Sequence, residues 1–274
     1  MIELPTNGPS RLRIPLPKEH GAWFMLGQCL LIGAWVAGSF NMAVPLVALA
    51  AYLFFIGLEG LKRARLRKNA NETSMWNAFP GSSKLILLAS AALGAAVVLG
   101  WERWVLVFWG LLSFLCVGAY AMLLLYRKER STGAEWLGIL GITLSAGMAW
   151  SASKGRLEPQ AFYVWGICFL YFAGSVPYVR LRVKQMKHRT APLSSRVTWA
   201  RDALLYGVGA LGVVVVGAEA DIYGWVMVVP FLLVVAKLLW VVARDKPPRS
   251  LTRVGYAEVF YSLLFTFISV AAFW

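Results

Sequence analysis

Phe55-Ile56-Gly57-Leu58-Glu59-Gly60-Leu61-Lys62-Arg63-Ala64-Arg65-Leu66-Arg67 is the stretch on which the fold class turns. An apolar run that begins near position 42 stops here, and five cations crowd in between Lys62 and Lys68. Hydrocarbon accepts the first part and excludes the second, so the stretch reads as a membrane span ending on the cytoplasmic side. Around it, further apolar runs of about 20 residues, the length a bilayer asks for, fall at about 21–38, 42–61, 82–100, 102–126, 134–152, 160–179, 202–218, 223–243 and 258–274. They are continuous rather than alternating, which makes them helices and not barrel strands.

Composition agrees. The chain has 274 residues, 59% hydrophobic and only 15% charged, where a soluble domain is about 45–50% apolar and about 25% charged. That excludes an ordinary soluble enzyme, a disordered chain and a fibrous protein. The charge is lopsided, with 27 Lys and Arg against 13 Asp and Glu. With the N-terminus cytoplasmic, 24 of the 27 cations fall on inner segments, leaving Arg103, Lys154 and Arg156 outside. The expectation is a cell (inner or plasma) membrane protein with its N-terminus cytoplasmic and, after an odd number of spans, its C-terminus outside. The basic excess is then mainly orientation against anionic lipid, and nucleic acid is not expected as a partner. Trp23 to Gly38 reads as a first span rather than a cleavable leader.

The opening stretch has an echo. Sliding the chain by 117 residues pairs Phe55 with Phe172, Gly57 with Gly174, Arg63 with Arg180, Arg65 with Arg182 and Arg67 with Lys184. Four spans per copy is an even number, so both copies have the same orientation. The fold class expected is therefore all-α: a polytopic membrane protein of about nine transmembrane helices, two four-helix repeats plus a ninth helix. Its divisions are a cytoplasmic tail at 1–16, repeats at 17–130 and 131–250, and a last helix at 251–274. A cavity between the two bundles is expected, its mouth rimmed by the loops at about 62–81 and 180–201.

Candidate chemistry gathers at that mouth. Arg63 and Arg67, and Arg180 and Lys184, are each spaced to share a helix face, with Arg182 between the latter pair. Guanidinium forks from two bundles suit a phosphate or carboxylate head, although positive-inside charge alone accounts for much of the same pattern. Glu59 stands one turn before Arg63. Pro17-Lys18-Glu19-His20-Gly21-Ala22-Trp23 opens the first span, with Pro17 suited to a helix start. Lys18, Glu19 and His20 there offer cation, acid and base at the membrane surface, and Tyr178 joins them beside Arg180. The three aspartates, Asp202, Asp221 and Asp245, form no pair near either basic cluster, so no metal site and no cofactor is expected. Cys29, Cys116 and Cys168 all lie in apolar spans and make no CxxC pattern.

Two likenesses follow from these residues. Pro17 to Trp23, with Gly174-Ser175-Val176 and Tyr178-Val179-Arg180, resembles the YwiC-like family of bacterial integral membrane proteins, which implies a multi-span fold but no activity. The layout of nine spans and two repeats is similar to the UbiA-type prenyltransferases. That second likeness implies Asp-rich, Mg²⁺-holding motifs after spans 2 and 6, yet 60–70 and 177–187 hold no aspartate. The departure stands against metal-dependent prenyl transfer. What it leaves is a UbiA-like bundle binding membrane lipids or an anionic amphiphile, such as a polyprenyl phosphate or a quinone precursor. Catalysis is left open, with a metal-independent or degenerate transferase among the choices. The alternatives are a small-anion transporter and a scaffold for a respiratory complex.

Overall fold

The computed structural model describes residues 20–68, 79–126, 131–188, 192–244 and 250–273, and among these there is no β-strand. The helices are α1 (His20–Val36), α2 (Ala43–Lys68), α3 (Gly81–Gly100), α4 (Val105–Leu125), α5 (Thr132–Lys154), α6 (Pro159–Ala173), α7 (Ser175–Lys187), α8 (Leu193–Glu219), α9 (Val228–Ala243) and α10 (Leu251–Ala272), with a 3₁₀ turn at Trp225–Met227. Among the described residues, eight helical stretches are long and apolar enough to cross a membrane, and α1 supplies a shorter apolar one. The protein is a polytopic, all-helical membrane protein.

α6 and α7 are two parts of one 29-residue span. Pro177 has no N–H to give to the carbonyl of Ala173, four residues back, and its ring crowds that carbonyl. The helix is interrupted at Gly174, and the Ser175 hydroxyl takes up the neighbouring Phe172 carbonyl at 2.7 Å. α10 starts earlier than its apolar run. Ser250 caps it by accepting from the Arg253 N–H, so Glu258 lies two turns inside the helix instead of at its mouth.

α5 is the hub. More than half of its residues are buried, the largest share among the long spans, and it packs on α1, α4, α6 and α2. Small residues permit this. A Cβ on Gly33 of α1 would run into the carbonyl of Ala146, and one on Gly147 would enter the Trp109 ring. The Trp109 indole donates to Ser151 Oγ at 2.8 Å, fixing α4 against the same face. At its far end α5 closes with Gly155 in the left-handed conformation (φ +77°).

Shifting helix bounds by 117 residues lays α1 on α5, α2 on α6–α7, α3 on α8, and α4 on the 3₁₀ turn with α9. The packing, however, crosses the boundary between 17–130 and 131–250. α1 makes most of its contacts with α5 and few with α2, and α4 packs on α5. The first four spans consequently form an open arc completed by α5.

Candidate functional site

That arc encloses a cavity of about 780 Å³. It is walled by α1, α2, α3, α4, α5 and the start of α7. It therefore draws on both expected repeats, unevenly: all four helices of 17–130, but only α5 and α7 of 131–250. The close α1–α5 crossing at Gly33 brings α5 against the first four spans and makes it part of their wall. From Glu135 to Met148 the lining follows α5 through thirteen residue steps, about 20 Å of depth at about 1.5 Å per residue.

The wall is apolar in effect as well as in composition. Its hydroxyls are largely committed to backbone: Ser90 donates to the Ala50 carbonyl at 2.7 Å, Ser145 to Ile142 at 2.6 Å, and Ser175 to Phe172. Charge enters at one end only, where Glu59, Glu135 and Arg180 line the mouth with Tyr120 nearby. This is the end at which the basic segments gather. Arg180 Nε and Nη2 reach Glu135 Oε2 at 3.1 and 3.0 Å, and Nη1 bonds the Thr132 hydroxyl. Both partners of the pair are 40% exposed, so it orients the guanidinium and adds little stability.

Of the residues singled out by sequence, Arg180 and Glu59 come together at this mouth. Lys184 follows Arg180 by one turn and is exposed. Lys18 and Glu19 lie outside the described residues, as do the side chains of His20, Arg63 and Arg67. The backbone of α2 does continue to Lys68, and positions 59, 63 and 67 succeed one another at single-turn steps. Arg182 and Tyr178 are elsewhere. Two residues along a helix is a rotation of about 200°, and Arg182 accordingly faces Gln185, whose Oε1 it meets at 2.7 Å. Gln185 passes on to the Val241 carbonyl of α9 at 3.3 Å.

Tyr178 belongs to a second polar centre, which the sequence did not disclose. Lys237 of α9 turns inward. Its Nζ lies 2.7 Å from Glu258 Oε1 of α10, with only 11% of the lysine side chain exposed. The same Nζ lies 4.2 Å over the Tyr178 ring and 4.9 Å from that of Tyr261. Tyr171 stacks on Phe265 beside them, centroids 3.9 Å apart. Deeper on α10, Ser262 accepts from Gln28 Nε2 of α1 at 3.1 Å. Glu135 and Glu258 are the carboxylates that sequence reasoning passed over. Glu135 was findable from Ser131-x-x-x-Glu135 at a helix start, where a first-turn acid suits the dipole.

A chamber of this shape, entered past an arginine and two carboxylates and set in a bundle of apolar spans, defines a multi-pass α-helical membrane protein with an intramembrane cavity. The family described as YwiC-like protein matches residues 16–152, half of the 274, and the chain belongs to that family. The matched region holds α1 to α4 and nearly all of α5, which is the cavity wall apart from α7; the Gly174–Arg180 stretch lies beyond it. No curated protein and no solved structure matches the chain.

Proposed function

We propose that this protein holds an amphiphile of the cell membrane, its tail along the apolar wall and its phosphate, carboxylate or quinone-precursor head at the charged mouth. The observation that carries the reading is the cavity itself: about 780 Å³, within the range of small-molecule sites, about 20 Å deep, and charged at one end only. Arg180 is the fixed guanidinium, held in place by Glu135 and Thr132 and supplemented from α2 by Arg63 and Arg67. Lys184 and the Lys18-Glu19-His20 entry add charge around the rim. Tyr178 belongs to the second centre instead, and Arg182 turns to Gln185. The mouth faces the cytoplasm, as the basic segments indicate. In this reading the UbiA-like arrangement reads the head with arginines and no metal; whether chemistry follows binding is a separate step.

Replacing Arg180 with Gln and measuring co-purified lipid by mass spectrometry tests it. The expected outcome is loss or a change of head-group class in the retained amphiphile. Lipid content identical to that of the wild type refutes the assignment. A second reading, a small-anion transporter, draws on the Lys237–Glu258 pair, because ionisable groups at membrane depth commonly serve translocation. Anion uptake into proteoliposomes above the empty-vesicle rate, abolished in Glu258→Gln, distinguishes it.

A further inference from the structure

The cavity has an opening besides its charged mouth. α3 and α4 are joined by the short turn Trp101–Trp104, and neighbours so joined ordinarily zip together. Here α3 packs on α2 and α4 packs on α5, while the two barely touch each other. Both still line the cavity, with Ala91 and Gly94 on α3 facing the chamber along with Gly110 and Ser113 on α4. A Cβ placed at Gly94 or Gly110 would meet nothing within 4 Å. Between these helices the chamber has a slit where it would otherwise have a wall.

The medium outside the slit is fixed by its two borders. α3 and α4 are the least buried of the long spans. Their outer faces carry exposed leucines and Phe114. Surfaces of that kind stand against acyl chains, so the slit communicates with hydrocarbon and not with water. Its closed end is anchored. Trp101 and Trp104 are exposed at the turn, where indoles favour the membrane interface, and the Arg103 side chain lies against Gly155 at the end of α5.

We propose that the α3–α4 slit is a lateral doorway through which the tail of a bilayer-resident amphiphile passes between membrane and cavity. The inference rests on the cavity being an amphiphile site, and it narrows the occupant to a molecule already dissolved in the bilayer. A water-soluble anion has no use for such an entrance. The head keeps to the level of the membrane surface while the tail moves sideways past Gly94 and Gly110.

Protein in phosphatidylglycerol vesicles, given a pyrene-labelled fatty acid, provides the test, with uptake read as energy transfer from tryptophan to pyrene. Ala91 of α3 and the native Cys116 of α4 both line the chamber, and in Ala91→Cys a reducible thiol-to-thiol reagent bridges α3 to α4 after folding is complete. The bridge is expected to slow uptake about tenfold or more, with reduction restoring the rate and Cys116→Ser abolishing the effect. Gly94→Trp, a plug placed in open space, is expected to slow uptake without any reagent. Uptake unchanged by both bridge and plug overturns the doorway and leaves the cavity reading standing. No uptake by the wild-type protein overturns both.

Discussion

Gly33 and Gly94 are both glycines within apolar helices, and they have opposite jobs. Gly33 lets α1 lie against the backbone of α5 at Ala146, whereas Gly94 has free space before it. Gly33→Leu forces a side chain into a carbonyl, and overpacking of this kind costs about 1–3 kcal/mol or more. The expected result is a markedly lower unfolding temperature in detergent, with Gly94→Leu close to wild type; equal effects would contradict the packing described. Nothing local in the sequence separates these two glycines, because the difference lies in which helix comes opposite. Arg180 and Arg182 teach the reverse lesson. Grouped by charge they look like one cluster, yet helical periodicity alone places them on different faces, and the structure sends one to the cavity and the other to α9.

At the scale of helices, α9 and α10 follow each other in sequence but share few contacts, and Lys237–Glu258 is the polar tie between them. Removing one partner strands a charge in a largely buried place, while replacing both with apolar groups removes the burden together. Glu258→Gln is expected to cost about 3 kcal/mol, and Lys237→Met with Glu258→Leu to recover most of it. A double-mutant cycle on thermal unfolding measures this, and strictly additive losses would show that the pair is not coupled. The spans themselves were legible, since about 20 apolar residues in a row have few alternatives to a helix in lipid. The start of α10 was not. Residues 251–258, in which Thr252, Arg253 and Glu258 interrupt the apolar pattern, continue the helix beyond the apolar run, as the Ser250 cap allows, and an apolar count cannot see those two turns.

For the whole molecule, the distribution of cations predicts an orientation that a reporter can check. An enzyme active only outside the cytoplasm, fused after Trp274, is expected to be active, and the same reporter fused after Lys187 is expected to be silent. The reverse pattern would invert the topology and turn the cavity mouth outward. The class of the protein and the rough count of its spans were readable from composition and run length. The share that each helix takes in the chamber wall was not, because it depends on α1 choosing α5, more than a hundred residues away, over its neighbour α2.

The make-up of α5 has a consequence for how the protein is built. Among the long spans it has the lowest mean hydropathy as well as the greatest burial, with Thr143, Ser145, Ser151 and Ser153 along its length. As the chain emerges during synthesis, α5 is the span least able to settle in lipid by itself. Its most extensive partner, α1, has by then been made and released four spans earlier, carrying the face around Gly33 uncovered. Assembly therefore has an order imposed on it: the first helix waits in the bilayer for the fifth, and the chamber closes only when they meet.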